Sequence, residues 1–401
     1  MIRFRLSMMM LFQYMIYAVW WVPLAAYLTN MDVGSAKKAL ILSSMAIGGL
    51  ASPAIGMLAD KYLSGQKLLF IINIISSIML YLAAVTGDQN VLLLLLVLTM
   101  LFYMPSWALT SAIAMKHAPS EDYPKFRLFG SIGHVASGLF SLFAVKLLDV
   151  DFDGTNLPFY CGAGVGIVTA IYNLTLPDTP PAGKGKKSSA FEFLGLGTLK
   201  LMKDKNFSLF IIFSFLSMIP FAMYFSYFSE FLLNINTKFI TITMNWGILA
   251  ELGFMLLIPV TIRKFGLRKV MILGLTAMLI RYASLYFGGI VDQKWMFYIG
   301  ILIHGLIFGF FYVGGQIYID KRTPDELKSQ GQGFIFLVTF GLGLLAGNII
   351  DGQIINIFLD NSTGVRIYDW DSIWGVTSVM SIVLLVAFAL FFKDDVIEKT
   401  T

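Results

Sequence analysis

The sequence has little of what soluble chemistry draws on. It contains one cysteine, three histidines and only 13% charged residues. The lone cysteine, Cys161, sits in an apolar run, so no disulfide framework exists and a packing role is expected. So few histidines and cysteines give no metal-ligand cluster and no nucleophile–base pair. A Walker-type Gly-Lys-Ser/Thr loop is also missing, which argues against nucleotide-driven pumping, an ion channel has no support, and neither an enzyme nor a cofactor is expected. A soluble domain carries about 25% charged residues, so the solvent of this chain is lipid. No cleavable signal peptide is expected, because the first apolar run, from near Met8, is too long and continues into a first span.

What is present is apolar surface. The 401 residues are 57% hydrophobic and 15% aromatic, with 35 Phe, and the mean hydropathy is +0.77. Apolar runs predict twelve spans, at 8–29, 38–59, 67–86, 90–115, 127–148, 157–176, 207–234, 239–262, 269–290, 295–318, 330–358 and 371–392. The fold class is therefore an all-α membrane protein. The run 330–358 is long and Gly-rich, and is expected to break or overshoot the bilayer. The polar stretch 177–206 opens as a Pro/Gly/Lys linker, and 191–203 fits an amphipathic helix on the membrane surface. It divides the chain into residues 1–176, the linker 177–206, and residues 207–401, six spans on each side.

Charge sets the expected orientation. With both termini in the cytoplasm, 22 of the 29 basic residues fall in cytoplasmic segments and six in outer ones. Only Arg281 then lies within a span. Such a bias supports termini inside and an inner-membrane location. The net charge of +5 reflects these loops, not a nucleic-acid partner.

The stretch Phe239–Ile262 carries one charge, Glu251, close to its middle. A carboxylate at that depth costs at least about 2.5 kcal/mol to ionise. It is expected to face a protein interior or a water-filled cavity, to hold a partner, or to be protonated. Arg281 is a candidate partner; alternatively, Arg281 pairs with Glu230.

Gly56-Met-Leu-Ala-Asp60-Lys61 follows the second run, and Arg263-Lys-Phe-Gly266-Leu-Arg268-Lys269 follows the eighth. These occupy equivalent places in the two halves, and with the six-plus-six split they resemble the loop motif of the major facilitator superfamily. That resemblance implies a gating role for Gly56, Asp60, Lys61 and Arg268: Gly56 permits close helix approach, and Asp60 bridges to cations on a neighbouring helix. The second copy lacks the acid.

A narrower resemblance covers nearly the whole chain. It rests on Gln13 with Trp20-Trp21-Val22-Pro23, Phe102-Tyr103-Met104-Pro105, Phe126-Arg127-Leu-Phe-Gly130-Ser131-Ile-Gly133, Leu176-Pro177-Asp178-Thr179-Pro180-Pro181, and Ala250-Glu251 with Pro259. It extends through Ile280-Arg281-Tyr282, His304-Gly305, Tyr318-Ile-Asp320-Lys321 and Gln330-Gly-Gln332-Gly333. In these the chain resembles the nucleoside:proton symporter family, and its bacterial nucleoside transporters more than the well-studied nucleoside permeases. The resemblance implies two six-helix halves working by alternating access. It places Arg127 and Ser131 at the nucleoside site, with Gln13 and His134 as further candidates, although the family commonly has an aromatic residue at position 134. Glu251, Phe308 and Tyr312 join them, with Glu251 and Arg281 in proton coupling. The spacing of four between Arg127 and Ser131 puts both on one helix face. A snorkelling Arg127 and a buried, hydrogen-bonded His134 are the structural alternatives.

The chain departs from the family at Phe308-Gly309-Phe310-Phe311-Tyr312, where relatives carry an acid directly after the first aromatic, and at Phe221-Ala222-Met223-Tyr224-Phe225, where nucleoside permeases offer amides. Ile248 stands where relatives have Gln, with Asn245 a candidate substitute. The expected function is proton-coupled nucleoside uptake by a monomer, with nucleoside, proton and lipid as partners. The alternative is a facilitator for another small polar or ring-containing metabolite, without proton coupling.

Overall fold

A computed structural model describes residues 2–33, 35–152, 154–183, 197–235, 240–360 and 367–393. Ten helical spans among the described residues are long and apolar enough to cross a membrane: α1 (Ile2–Leu24 within the helix Ile2–Asn30), α2 (Leu40–Lys61), α3 (Gly65–Val85), α4 (Gln89–His117), α5 (Ser120–Leu147), α7 (Lys205–Phe228 within Lys205–Asn234), α9 (Leu267–Ile290), α10 (Trp295–Arg322), α11 (Asp325–Ile357) and α12 (Trp370–Phe391). The shorter apolar helix α6 (Leu157–Asn173) and the 26-residue helix α8 (Ile240–Phe265) fall on the sixth and eighth predicted runs. The arrangement is consistent with twelve spans. A two-stranded antiparallel pairing, Leu359–Asp360 with Ile367–Tyr368, joins α11 to α12.

The first helix begins earlier than hydropathy alone predicts. Arg5 donates to the Thr175 carbonyl at 2.8 Å and Arg3 pairs with Asp122 at 3.2 Å, so both cations keep partners inside a continuous helix. The eleventh run does break its α-helical geometry. Lys328–Phe336 passes into a π-helical segment, Leu337–Gly343, before Leu344–Ile357. A second π segment, Ile307–Val313, interrupts α10. Single π turns inside α-helices are frequent at functional sites. Of the predicted amphipathic stretch 191–203, residues 191–196 lie outside the described residues, and Gly197–Lys203 forms a 3-10 helix.

The chain forms two compact units. Unit 1 is Met1–Lys200 with Ile319–Leu337; unit 2 is Leu201–Tyr318 with Val338–Thr401. In unit 1 the linker start is pinned down: Gln66 donates to Asp178 at 2.6 Å and accepts from the Thr179 amide at 3.0 Å, while Lys116 donates to the Pro180 carbonyl at 2.7 Å. Asp88 caps the start of α4 by accepting from the Val91 and Asn90 amides, which holds its carboxyl below the usual carboxylate range.

The Gly56–Asp60 motif sits at a crossing in unit 1. A Cβ on Gly56 would stand 2.5 Å from the Ser329 carbonyl oxygen, so only glycine lets these backbones meet. Asp60 is 4% exposed and accepts from the amides of Ser329 at 3.1 Å and Gln330 at 2.8 Å. It therefore caps the first turn of the Lys328–Phe336 helix, where the helix dipole favours an anion. Asp60→Ala is expected to cost about 1–2 kcal/mol and to lower the thermal unfolding midpoint in detergent. Asp60→Asn keeps one acceptor oxygen and should fall between; an unchanged midpoint in Asp60→Ala would refute the cap.

Candidate functional site

In unit 1 the predicted residues converge on α1. Arg127, 6% exposed, lies with its guanidinium carbon 3.9 Å from the centre of the Tyr14 ring, and its Nη1 is 3.4 Å from Ser131 Oγ. The spacing of four on one helix thus joins the two polar groups. Tyr14 packs on Trp107 with ring centres 4.6 Å apart. His134 is half-buried and lies beside Tyr17, 6.3 Å between centres. Gln13 is fully buried, and both ends of its amide are engaged. Its Nε2 donates to Ser106 at 2.7 Å and Asn73 at 3.1 Å, and its Oε1 accepts from Asn73 Nδ2 at 2.9 Å. Tyr103 donates to the Gln13 carbonyl at 2.5 Å and accepts from Trp107 Nε1 at 3.0 Å. This network ties down the helix that carries Tyr14 and Tyr17.

In unit 2 the centre is Arg281, which is fully buried. Its Nε donates to the Gly300 carbonyl at 2.9 Å, its Nη2 lies 3.0 Å from His304 Nδ1, and its guanidinium stacks 3.8 Å from the centre of the Tyr224 ring. A cationic donor facing Nδ1 requires that nitrogen to accept, which places the neutral ring's proton on Nε2. Tyr224 stacks on His304, with centres 5.6 Å apart.

Glu251, 4% exposed, reaches the same turn from α8. A Cβ on Gly305 would stand 2.3 Å from Glu251 Cα. Glu251 and Arg281 therefore meet α10 at adjacent residues, Gly305 and His304. The side chains of Glu230 and Asn245, an alternative partner and a substitute amide from the sequence, lie outside the described residues.

The π segment of α10 turns Phe308 and Tyr312 toward this cluster. Phe308 lies 6.3 Å from His304 and 6.1 Å from Tyr312, and Tyr312 lies 5.0 Å from Phe221. Tyr312 and Ser217 hydroxyls are 3.2 Å apart. Gly309 faces elsewhere: a Cβ there would meet Ile258 Cδ1 of α8 at 2.9 Å. The place where a side chain would extend is filled by an isoleucine.

Arg268 belongs to unit 2. It donates to the Phe392 carbonyl at 2.7 Å and the Ala389 carbonyl at 2.5 Å, capping the end of α12. Gly266, two residues before it, adopts φ +80°, the left-handed region that suits glycine between α8 and α9. Lys61 is buried next to Asp60 on α2.

One buried acid escaped the sequence reading. Asp351, in α11, is fully buried, and neither carboxylate oxygen has a hydrogen-bond partner among the described residues. The signal was the one that singled out Glu251, a charge inside an apolar run. The length and glycine content of 330–358 left its position across the bilayer unfixed.

Each unit thus holds a buried arginine against a tyrosine ring, Arg127 on Tyr14 in unit 1 and Arg281 on Tyr224 in unit 2. A sequence profile described as Nucleoside H+ symporter matches residues 1–396. The chain belongs to the nucleoside H+ symporter family. It is 33% identical to the protein of Escherichia coli (strain K12) named "Putative nucleoside transporter YegT", over 99% of this chain and 95% of that one. It is 26% identical to "Nucleoside permease NupG" of the same organism, over 98% and 96%. Among solved structures, the crystal structure of a mutant of nucleoside transporter NupG superimposes with a TM-score of 0.72 at 25% identity, covering 98% of this chain and all of that one. The proton:xylose symporter XylE matches with a TM-score of 0.73 at 12% identity, over 98% and 96%. At that identity the likeness concerns the fold, which is that of the major facilitator superfamily. This symporter is thus a multi-pass membrane transporter.

Proposed function

We propose that the protein takes up nucleosides together with protons by alternating access, as a monomer in the bacterial inner membrane with both termini in the cytoplasm and no chemical conversion of its cargo. The observation that carries this reading is the position of Glu251. It is a buried carboxylate midway along α8, against the turn that holds Arg281, in a chain that matches the symporter family from end to end. The basic residues of the connecting segments support the orientation.

In unit 1, Arg127, Ser131 and His134 offer donors, and Tyr14 and Trp107 offer ring faces to a nucleoside, with Gln13 holding their helix in place. In unit 2, Glu251, Phe308 and Tyr312 contact the cargo, and Glu251 with Arg281 couples it to protons. A guanidinium and a hydroxyl suit ribose or base oxygens, and aromatic rings suit a flat base. Gly56, Asp60, Lys61 and Arg268 set the gates, and residues 1–176 and 207–401 are the halves that move.

The test is uptake of radiolabelled uridine or adenosine into proteoliposomes under an imposed pH gradient. Glu251→Gln removes the titrating group, and gradient-driven accumulation is expected to fall about tenfold or more, in the range of ordinary coupling energies. Accumulation that survives unchanged in Glu251→Gln would remove its coupling role. The apolar filling of the space beside Gly309 favours one rival, a facilitator for another ring-containing metabolite. Thermal stabilisation by that compound class, with none by nucleosides, would decide for it.

A further inference from the structure

Asp351 and Arg281 are both fully buried in unit 2, and neither forms an ion pair among the described residues. Among the described residues, both Asp351 oxygens and Arg281 Nη1 have no hydrogen-bond partner. An isolated carboxylate at this depth is strongly disfavoured, and it neutralises by taking up a proton. A buried guanidinium has no such escape, because it stays charged at any accessible pH.

The surroundings make Asp351 a site of its own. One turn earlier, Gly347 lies against α7; a Cβ there would stand 2.7 Å from Ala222 Cβ and 2.9 Å from the Met218 carbonyl. Asn348 accepts from Ser226 at 2.7 Å, and a Cβ on Gly352 would lie 3.2 Å from the Tyr227 hydroxyl. The α11 turn bearing Asp351 is therefore closely applied to the Met218, Ala222 and Ser226 face of α7. The titratable groups around this turn are Tyr227 of α7 and Tyr282 of α9, while Tyr224 and His304 contact Arg281. Tyr282 lies within the electrostatic reach of both Arg281 and Asp351, and its hydroxyl donates to the Pro220 carbonyl. Among the described residues, no other basic side chain stands in this group.

We propose that Asp351 is a proton-binding residue of this transporter, protonated in the conformation described here and deprotonated in one that brings Arg281 within ion-pair reach. The proton comes from the side to which the site opens and leaves to the other side, while the carboxylate passes between neutral acid and paired anion. The π segments of α10 and α11, which depart from regular helix, are the places where these helices can shift. Glu251 and Asp351 then give unit 2 two acids around one cation.

The inference rests on the transport function proposed above, so its test has two arms. In proteoliposomes of the full chain, Asp351→Asn is expected to lower uridine accumulation under a pH gradient by about tenfold or more. Uridine counterflow, which needs no net proton movement, continues, and Asp351→Glu restores part of the accumulation. Undiminished accumulation in Asp351→Asn, or a parallel loss of counterflow and accumulation, overturns the proposal. The second arm needs no substrate. Infrared difference spectra of the purified protein across a pH titration should show a protonated-carboxyl stretch that is lost in Asp351→Asn and kept in Glu251→Gln. The same titrating band in Asp351→Asn overturns the proposal. A wild-type protein without uridine counterflow would remove the nucleoside reading and leave the infrared result to decide Asp351.

Discussion

Arg281→Gln is expected to abolish gradient-driven uptake and to destabilise the fold. The guanidinium donates to the Gly300 carbonyl and faces His304 Nδ1, and its flat face rests on Tyr224. Hydrogen bonds from a charged donor contribute about 1.5–3 kcal/mol each, and a desolvated cation over an aromatic ring about 2 kcal/mol. The cost of burying the cation offsets part of this. A net loss of about 2–4 kcal/mol remains, read as a lower thermal unfolding midpoint in detergent. Arg281→Lys keeps the charge but loses the planar fork that reaches two acceptors while stacking, and should recover stability only in part. Uptake and midpoint both at wild-type values in Arg281→Gln would show that the cluster is ornamental to transport.

Gly305→Val acts on the same turn by a different route. The new Cβ would lie 2.3 Å from Glu251 Cα and 2.8 Å from its amide nitrogen. Carbon atoms settle at about 3.5–4.0 Å, so α8 and α10 must separate by more than about 1 Å. Both obstacles are backbone atoms, which no change of rotamer can clear. Overpacking of this kind costs about 1–3 kcal/mol or more. It also carries Glu251 away from the His304–Arg281 group. Uptake is expected to disappear, with a lower unfolding midpoint. Gly305→Ala poses the same first contact with less bulk, and is expected to be milder. Normal uptake by Gly305→Val would mean that the α8–α10 spacing is free to vary.

The predictions differ in how visible their residues were in the sequence. Glu251 stood out because ionising a carboxylate within an apolar run is costly wherever the helix finally packs. Arg127 and Ser131 could be paired because a spacing of four fixes a helix face before any tertiary contact forms. Gly56 and Asp60 were legible as a motif, but the partners of Asp60 were not. Cations on a neighbouring helix were expected, and the carboxylate also accepts from the Ser329 and Gln330 amides. Helix ends offer free amides that no residue type announces. Gln13 was legible as polar within α1, whereas its closed exchange with Asn73 and Ser106 depends on how α1, α3 and α4 pack.

The sequence by itself determined that the chain crosses a membrane many times, that it belongs with proton-linked nucleoside carriers, and that Glu251 is an expensive charge. The first and last follow from hydropathy, and the second from motifs that resemble a known family in order along the chain, all of which are local or collinear with the chain. Tertiary structure alone decided what surrounds the charge. It set Glu251 against Gly305, put His304 and Tyr224 around Arg281, filled the space beside Gly309 with Ile258, and left Asp351 buried without a hydrogen-bond partner among the described residues. These contacts join residues tens of positions apart, and the π segments rotate the side chains beyond them out of regular helical register. No local periodicity encodes that rotation, so the partners of a buried charge become known only when the helices are packed.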